Sequence, residues 1–295
     1  MASAASRESI KNMKVEAMPV AAEHRSEPKL HQYGGRNALL TEIWESRELF
    51  YFLAWRDVKV RYKQTALGVL WAFIQPLLTM FIFMLLFGRL AGIPTDGVPP
   101  ALFYLSALLP WLYVSSAVTN TSMSLVSNST LLTKIYFPRL VLPGAASLSG
   151  LLDFLVGSSL MIGLMAYYHI APSWRLLLWP ILVMLMFALA LAVGMFFSAV
   201  NVKYRDVKYV IPFAIQLWMF LTPIFYPTSM VPERFRWLLL LNPLSGLIEG
   251  FRGSLIATRT IPWDSLGICA LLTALMLVGA TVFFRRSEQI FADVI

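Results

Sequence analysis

From about residue 66 onward the chain alternates long apolar runs with short polar breaks. Six runs are long enough to cross a bilayer as helices, given that about 20 apolar residues are needed: Ala66–Leu90, Ala101–Val126, Leu142–Tyr168, Leu176–Val200, Val210–Tyr226 and Leu266–Phe284. The fifth is the shortest. A further half-apolar stretch, Arg236–Ala257, is broken by Asn242-Pro243 and carries Glu249 and Arg252. It reads as re-entrant or interfacial, because a lipid-exposed charge at mid-bilayer is costly. Uninterrupted apolar runs favour helices over the short alternating strands of a barrel. The expected fold is therefore an all-α integral membrane protein with six transmembrane helices, residues 66–295 forming the spanning domain.

The stretch before the first span has a different pattern. In "WRDVKVRYKQTALGVLWAFIQPLL" the first half holds Arg56, Lys59, Arg61 and Lys63, and the second half holds no charge. On a helix, Tyr51, Trp55, Val58 and Tyr62 form one stripe, with Arg56, Lys59 and Lys63 beside it. Leu49, Leu53 and Val60 form a second apolar stripe. Such a segment, residues 41–65, suits an amphipathic helix at the membrane interface, its basic groups near anionic lipid headgroups. The alternation in "VKVRYK" also fits a strand; beside an aromatic-rich membrane junction the helix is preferred. Residues 1–40 are polar, of mixed charge and without a signal-peptide pattern, and read as a flexible cytoplasmic tail.

Composition agrees. Hydrophobic residues make up 58% of the chain and charged residues 14%, where soluble domains are about one quarter charged. Mean hydropathy is +0.68. Lysine and arginine set the orientation. With the N-terminus inside, eighteen fall on the cytoplasmic side and six outside. Both termini are then cytoplasmic. No internal repeat suggests an inverted-repeat carrier.

Several chemistries are missing. There is no G-x-x-x-x-G-K-[ST] phosphate loop. His24, His31 and His169 form no metal pattern, and Cys269, the single cysteine, lies in an apolar run. No nucleic-acid partner is expected. Asp153 is the one acidic residue well inside a span, too little for an ion-coupled carrier; it serves either as a relay or, preferably, as a structural pair. A membrane-embedded transferase would need paired acid and base groups, and Asp57, Asp206, Glu249 and Asp264 are scattered over both sides.

What remains is aromatic and polar patterning. Rings recur in spans one, two and five, and Trp71, Phe83, Trp218 and Tyr226 are the candidates to line a channel, where ring faces would stack on passing sugars; helix packing and interfacial belts are the alternatives. The inner half of span two is polar (Ser115, Ser116, Thr119, Asn120 and onward), which suits close packing or a wet surface. After it, "NSTLLTKIYFPRLVLP" sets Lys134, Tyr136, Phe137 and Arg139 beside a helix breaker. A short cytoplasmic segment of this kind can press an aromatic plug and a charge into a soluble partner. Glu249 and Arg252, three apart, would be neighbours on a helix.

Three stretches together resemble the permease subunits of ABC-2-type exporters of lipid-linked polysaccharides such as O-antigen, capsule and teichoic acid: "WRDVKVRYKQTALGVLWAFIQPLL", "LLTKIYFPRLVLP", and "NVKYRDVKYVIPFAIQLWMFLTPIFYP" followed by "LNPLSGLIEGFRG". The likeness covers most of the chain after about Leu40. It implies an interface helix leading into span one, a coupling segment between spans two and three, and a re-entrant outer hairpin between spans five and six. It also implies a second copy of the chain enclosing the channel, a dimer of separate ATP-binding subunits that carries the ATP and magnesium, and an undecaprenyl-linked polysaccharide as cargo in the bacterial inner membrane. No cofactor is expected in this chain itself. Export of a smaller lipid or drug is the same-fold alternative.

Overall fold

The computed structural model describes residues 44–63, 68–134, 137–204, 206–255 and 260–294, with side chains described as far as residue 288. The expected tail, residues 1–40, lies outside the described residues, as does Tyr136. Among the described residues there are helices and no strands. The first helix is α1 (Arg47–Lys63). Gly68–Leu70 makes one tight turn into α2 (Trp71–Phe83), which loosens into π-helical geometry over Met84–Leu90. Then come α3 (Pro100–Ser127), the short α4 (Ser129–Lys134), α5 (Val141–Ser149), α6 (Leu151–Tyr167), α7 (Trp179–Lys203), α8 (Val207–Phe220), the short α9 (Arg236–Leu241), α10 (Pro243–Leu255) and α11 (Trp263–Val294).

Five helical stretches are long and apolar enough to cross a membrane: Gly68–Leu90, Pro100–Ser127, Val141–Tyr167, Trp174–Lys203 and Trp263–Glu288. The expected fifth span is different. Its helix, α8, has 14 residues, which rise about 21 Å against a hydrocarbon core of about 30 Å. The helix stops at Phe220 because Pro223 lacks the N–H a further turn would need and disfavours helix at Thr222. Thr222 turns its hydroxyl back onto the Trp218 carbonyl at 2.7 Å. The stretch Leu221–Tyr226, read as the end of a span, is a series of turns.

The core is built around α3. Pro100 opens it at a position where a missing N–H costs nothing. Nearly every residue from Ala101 to Trp111 is buried. It packs on α7, where a Cβ on Gly194 would lie 2.5 Å from Thr121 Cβ. Only glycine allows that approach, the small-residue contact typical of membrane helices. By contrast α2 buries only Pro76 and Met80, leaving Leu78, Phe81 and Ile82 exposed. On α8, Val210, Phe213, Leu217 and Phe220 are likewise uncovered.

The α1 segment departs from the expected stripes. It is helical, but its packing face is Leu53 and Ala54, both buried, with the half-buried Phe50 packed against α5. A Cβ on Gly144 of α5 would lie 2.8 Å from the Phe50 ring, so glycine lets α1 dock closely. Tyr51, Trp55 and Val60 face outward. Arg56 and Arg61 do not project with Lys59 and Lys63: they turn toward the protein, because acceptors on neighbouring elements wait for them there.

Candidate functional site

Those acceptors are specific. Arg56 Nη2 donates to Asn128 Oδ1 at 3.0 Å and to Asp57 Oδ1 at 2.8 Å. Arg61 forms a hydrogen-bonded ion pair with Asp153, 92 positions further along the chain. Arg56 thereby ties α1 to the end of α3, and Arg61 ties it to α6. Lys59 stays outside, its ammonium 5.7 Å from the Trp55 ring centroid, and Lys63 is exposed.

The Arg61–Asp153 pair stands at the edge of a cavity of about 480 Å³ between the end of α1, the start of α2, the middle of α3 and the start of α6. Its polar wall holds Gln75, Ser116, Thr119 and Asn120; its aromatic wall holds Tyr62, Trp71, Tyr113 and Phe154. Ser116 and Thr119 turn their hydroxyls onto the carbonyls of Tyr113 and Ser115. The polar half of span two thus divides by face. Thr121, Ser122 and Ser124 are buried in helix packing, while Ser116, Thr119 and Asn120 line open space.

The other sequence-level candidates fall elsewhere. Trp71 borders the cavity and is half exposed. Phe83 packs edge-on to Phe87 and Phe225, and Phe87 stacks on Phe225 at 4.7 Å. Tyr226 continues that cluster, its ring 5.3 Å from Phe225. Trp218 meets Trp111 edge-on and donates its indole N–H to Asn242 Oδ1 at 2.9 Å. Within one chain Phe83, Trp218 and Tyr226 therefore join the α2 end and the α8 exit to their neighbours.

The coupling candidates need a correction. Lys134 is exposed at the end of α4. Phe137 is not an outward plug. It is buried in a cluster with Leu53, Leu125 and Val141. Arg139 donates to the backbone carbonyl of Glu288 and lies 3.9 Å from its carboxylate, so the segment is tied to α11.

Glu249 and Arg252 sit on α10, which is almost wholly buried. Arg252 has no exposed surface. Its guanidinium reaches Glu249 Oε1 at 2.9 Å and the Ile224 carbonyl at 2.9 Å, and lies 3.9 Å above the Phe103 ring centroid. Asn242, in the break between α9 and α10, donates to Thr222 Oγ1 at 2.9 Å and caps the Leu244 N–H. Sequence reasoning noted Asn242 only as a break; the Asn-Pro pair, a capping residue before a helix-opening proline, was the available signal. Among the described residues no cluster of His, Cys, Asp or Glu could hold a metal ion.

The model of the ABC-2 type transporter family matches residues 48–256. The chain belongs to that family. The match runs from α1 to the end of α10 and contains every wall of the cavity. The chain is 31% identical over 258 residues to the O-antigen export system permease protein RfbA of Myxococcus xanthus, covering 86% of this chain and 98% of that protein. It is 27% identical over 252 residues to a protein of the same description from Klebsiella pneumoniae, covering 84% and 95%. It is 24% identical over 243 residues to the polysialic acid transport protein KpsM of Escherichia coli, covering 79% and 91%. Family membership accounts for the bare faces of α2 and α8: in a membrane protein they meet lipid or another chain, not water.

Proposed function

We propose that this chain is the permease subunit of an ABC exporter that carries a lipid-linked polysaccharide, O-antigen in the first instance, across the bacterial inner membrane. The observation that carries this reading is the likeness to an O-antigen export permease over 98% of that relative's length. In this reading two copies enclose the channel with α2 and α8, whose outer faces a single chain leaves uncovered, and a dimer of separate ATP-binding subunits supplies ATP and magnesium. Both termini are cytoplasmic. Six spans are reached with α8 as a short fifth crossing, completed on the outer side by the re-entrant pair α9 and α10. The outward stripe of Tyr51, Trp55, Lys59 and Lys63 makes α1 an interface helix. Lys134 faces the ATP-binding subunit, with Arg139 bracing its segment against α11.

The test is genetic and biochemical. Deleting the gene in its host should abolish surface polysaccharide, and the full chain should restore it only with its ATP-binding subunit. Purified alone in lipid, the chain should hydrolyse no ATP, and the two proteins should co-purify. Unchanged surface polymer in the deletion strain would reject the reading.

A further inference from the structure

The cavity between α1, α2, α3 and α6 has no occupant in the reading above, and its chemistry is selective. Its volume of about 480 Å³ lies within the range of about 300–1,000 Å³ common to small-molecule sites. Among its described lining residues Arg61 is the one cation and Asp153 the one anion, and they are paired with each other. The wall is therefore polar without net charge. The side-chain amides of Gln75 and Asn120 make no hydrogen bond to any described residue, although each carries two donors and an acceptor.

We propose that this cavity is a binding subsite for one neutral sugar unit. It rests on the polysaccharide-export reading and goes further, placing recognition of the cargo inside a single permease chain and away from the channel between two copies. The Asn120 and Gln75 amides each answer a hydroxyl with both donor and acceptor. Asp153 accepts from a further hydroxyl, and Arg61 has N–H groups beyond the one that reaches Asp153. The Trp71 indole offers an apolar plane to the C–H face of the ring. Two other occupants fit less well. A phosphate or diphosphate would set its charge beside the Asp153 carboxylate, with Arg61 already shared and no second cation among the described lining residues to offset the repulsion. An acyl chain would cover the amides without replacing their hydrogen bonds with water.

The experiment uses the full-length chain in nanodiscs free of glycoside detergents. Methyl glycosides of glucose, mannose, rhamnose and N-acetylglucosamine are titrated by calorimetry, with inorganic pyrophosphate as the anionic probe. At least one glycoside should bind saturably. Asn120→Ala should weaken it about tenfold, the fold-change expected for one lost hydrogen bond, and Gln75→Ala, at the exposed side, about threefold or more. Gln75 is exposed, so its variant folds even if the Asn120 variant does not; helix content by circular dichroism checks both. The proposal is overturned by no saturable binding of any glycoside, by unchanged affinity in the folded variants, or by tight pyrophosphate binding that glycosides fail to displace. Surface polymer in the deletion strain separates the two claims. Lost polymer without glycoside binding removes the subsite and leaves the export reading, whereas glycoside binding with polymer unaltered removes the export reading and leaves the subsite.

Discussion

Two arginines of this chain each face a carboxylate, in opposite settings. Arg252 pairs with Glu249 three residues away on one buried helix, with no exposed surface of its own and a carbonyl and a ring for company. Arg61 pairs with Asp153 across two helices at the rim of a cavity, both side chains roughly 30% exposed (29% and 32%). Burying a charge is costly unless it is paired, and removing one partner then leaves the other uncompensated. A pair in reach of solvent has water as an alternative. The first arrangement therefore holds structure together, and the second can open and close at low cost.

The largest effect should come from Arg252→Ala. It takes the guanidinium away from the Glu249 carboxylate and the Ile224 carbonyl and leaves a side-chain-sized void under Phe103. The expected destabilisation is about 3–5 kcal/mol, read as loss of the folded protein from membranes and a lower unfolding midpoint in detergent. Wild-type levels and midpoint would show that the pair is not structural.

Exchanging the charges sharpens the contrast. Glu249→Arg with Arg252→Glu should not recover stability, because position 252 faces a carbonyl oxygen and the negative face of a ring, and both call for a cation. Arg61→Asp with Asp153→Arg should recover most of what either single change loses, since among the described residues neither end is held by a further carbonyl or ring as Arg252 is. Thermal unfolding of the two double variants beside their singles decides it. Rescue at 249/252, or failure at 61/153, reverses the assignment.

The two pairs also differ in how far they could be read from the sequence. Glu249 and Arg252 stand three apart, and helical geometry alone makes them neighbours. Arg61 and Asp153 are 92 positions apart, and no local pattern connects them. The same divide runs through the fold. Apolar length marks Pro100–Ser127 or Trp263–Glu288, because a bilayer imposes a length that a sequence must meet. The end of α8 at Phe220 was hidden, since Leu221, Ile224 and Phe225 extend the apolar run while Pro223 stops the helix. The polar face of α3 was visible as composition, but which hydroxyls pack and which line a cavity depends on where Gly194 lets α7 approach. Phe137 reads as an exposed knob beside proline, yet it joins a buried cluster with residues far away in the chain, Leu53 among them.

A smaller effect belongs to Asp153→Asn. The amide still accepts from Arg61 but no longer neutralises it. Because the pair is partly exposed, the cost in stability should be about 0.2–1 kcal/mol, with normal membrane levels. Export should suffer more than stability, since α1 loses its charge-assisted tie to α6 while its Phe50 contact with Gly144 remains. Surface polymer measured against permease abundance separates the two. A fall in abundance matching that of Arg252→Ala would give Asp153 the same role as the buried pair.

The smallest effect is ionic. Raising salt from about 0.1 M to about 1 M shortens the Debye length from about 10 Å to about 3 Å. The Arg61–Asp153 pair, in reach of water, should weaken by a few tenths of a kcal/mol, at the low end of what exposed pairs contribute. The Arg252 pair, with no exposed surface on the arginine, should not respond. The comparison is made within variants: the difference in unfolding midpoint between wild type and Asp153→Asn should shrink with salt, while that between wild type and Arg252→Ala stays constant. General effects of salt on detergent and on apolar burial act on every variant alike and cancel in those differences. If both differences shrink together, water reaches Arg252 as well, and the contrast between a closed structural pair and an open one at the cavity rim is lost.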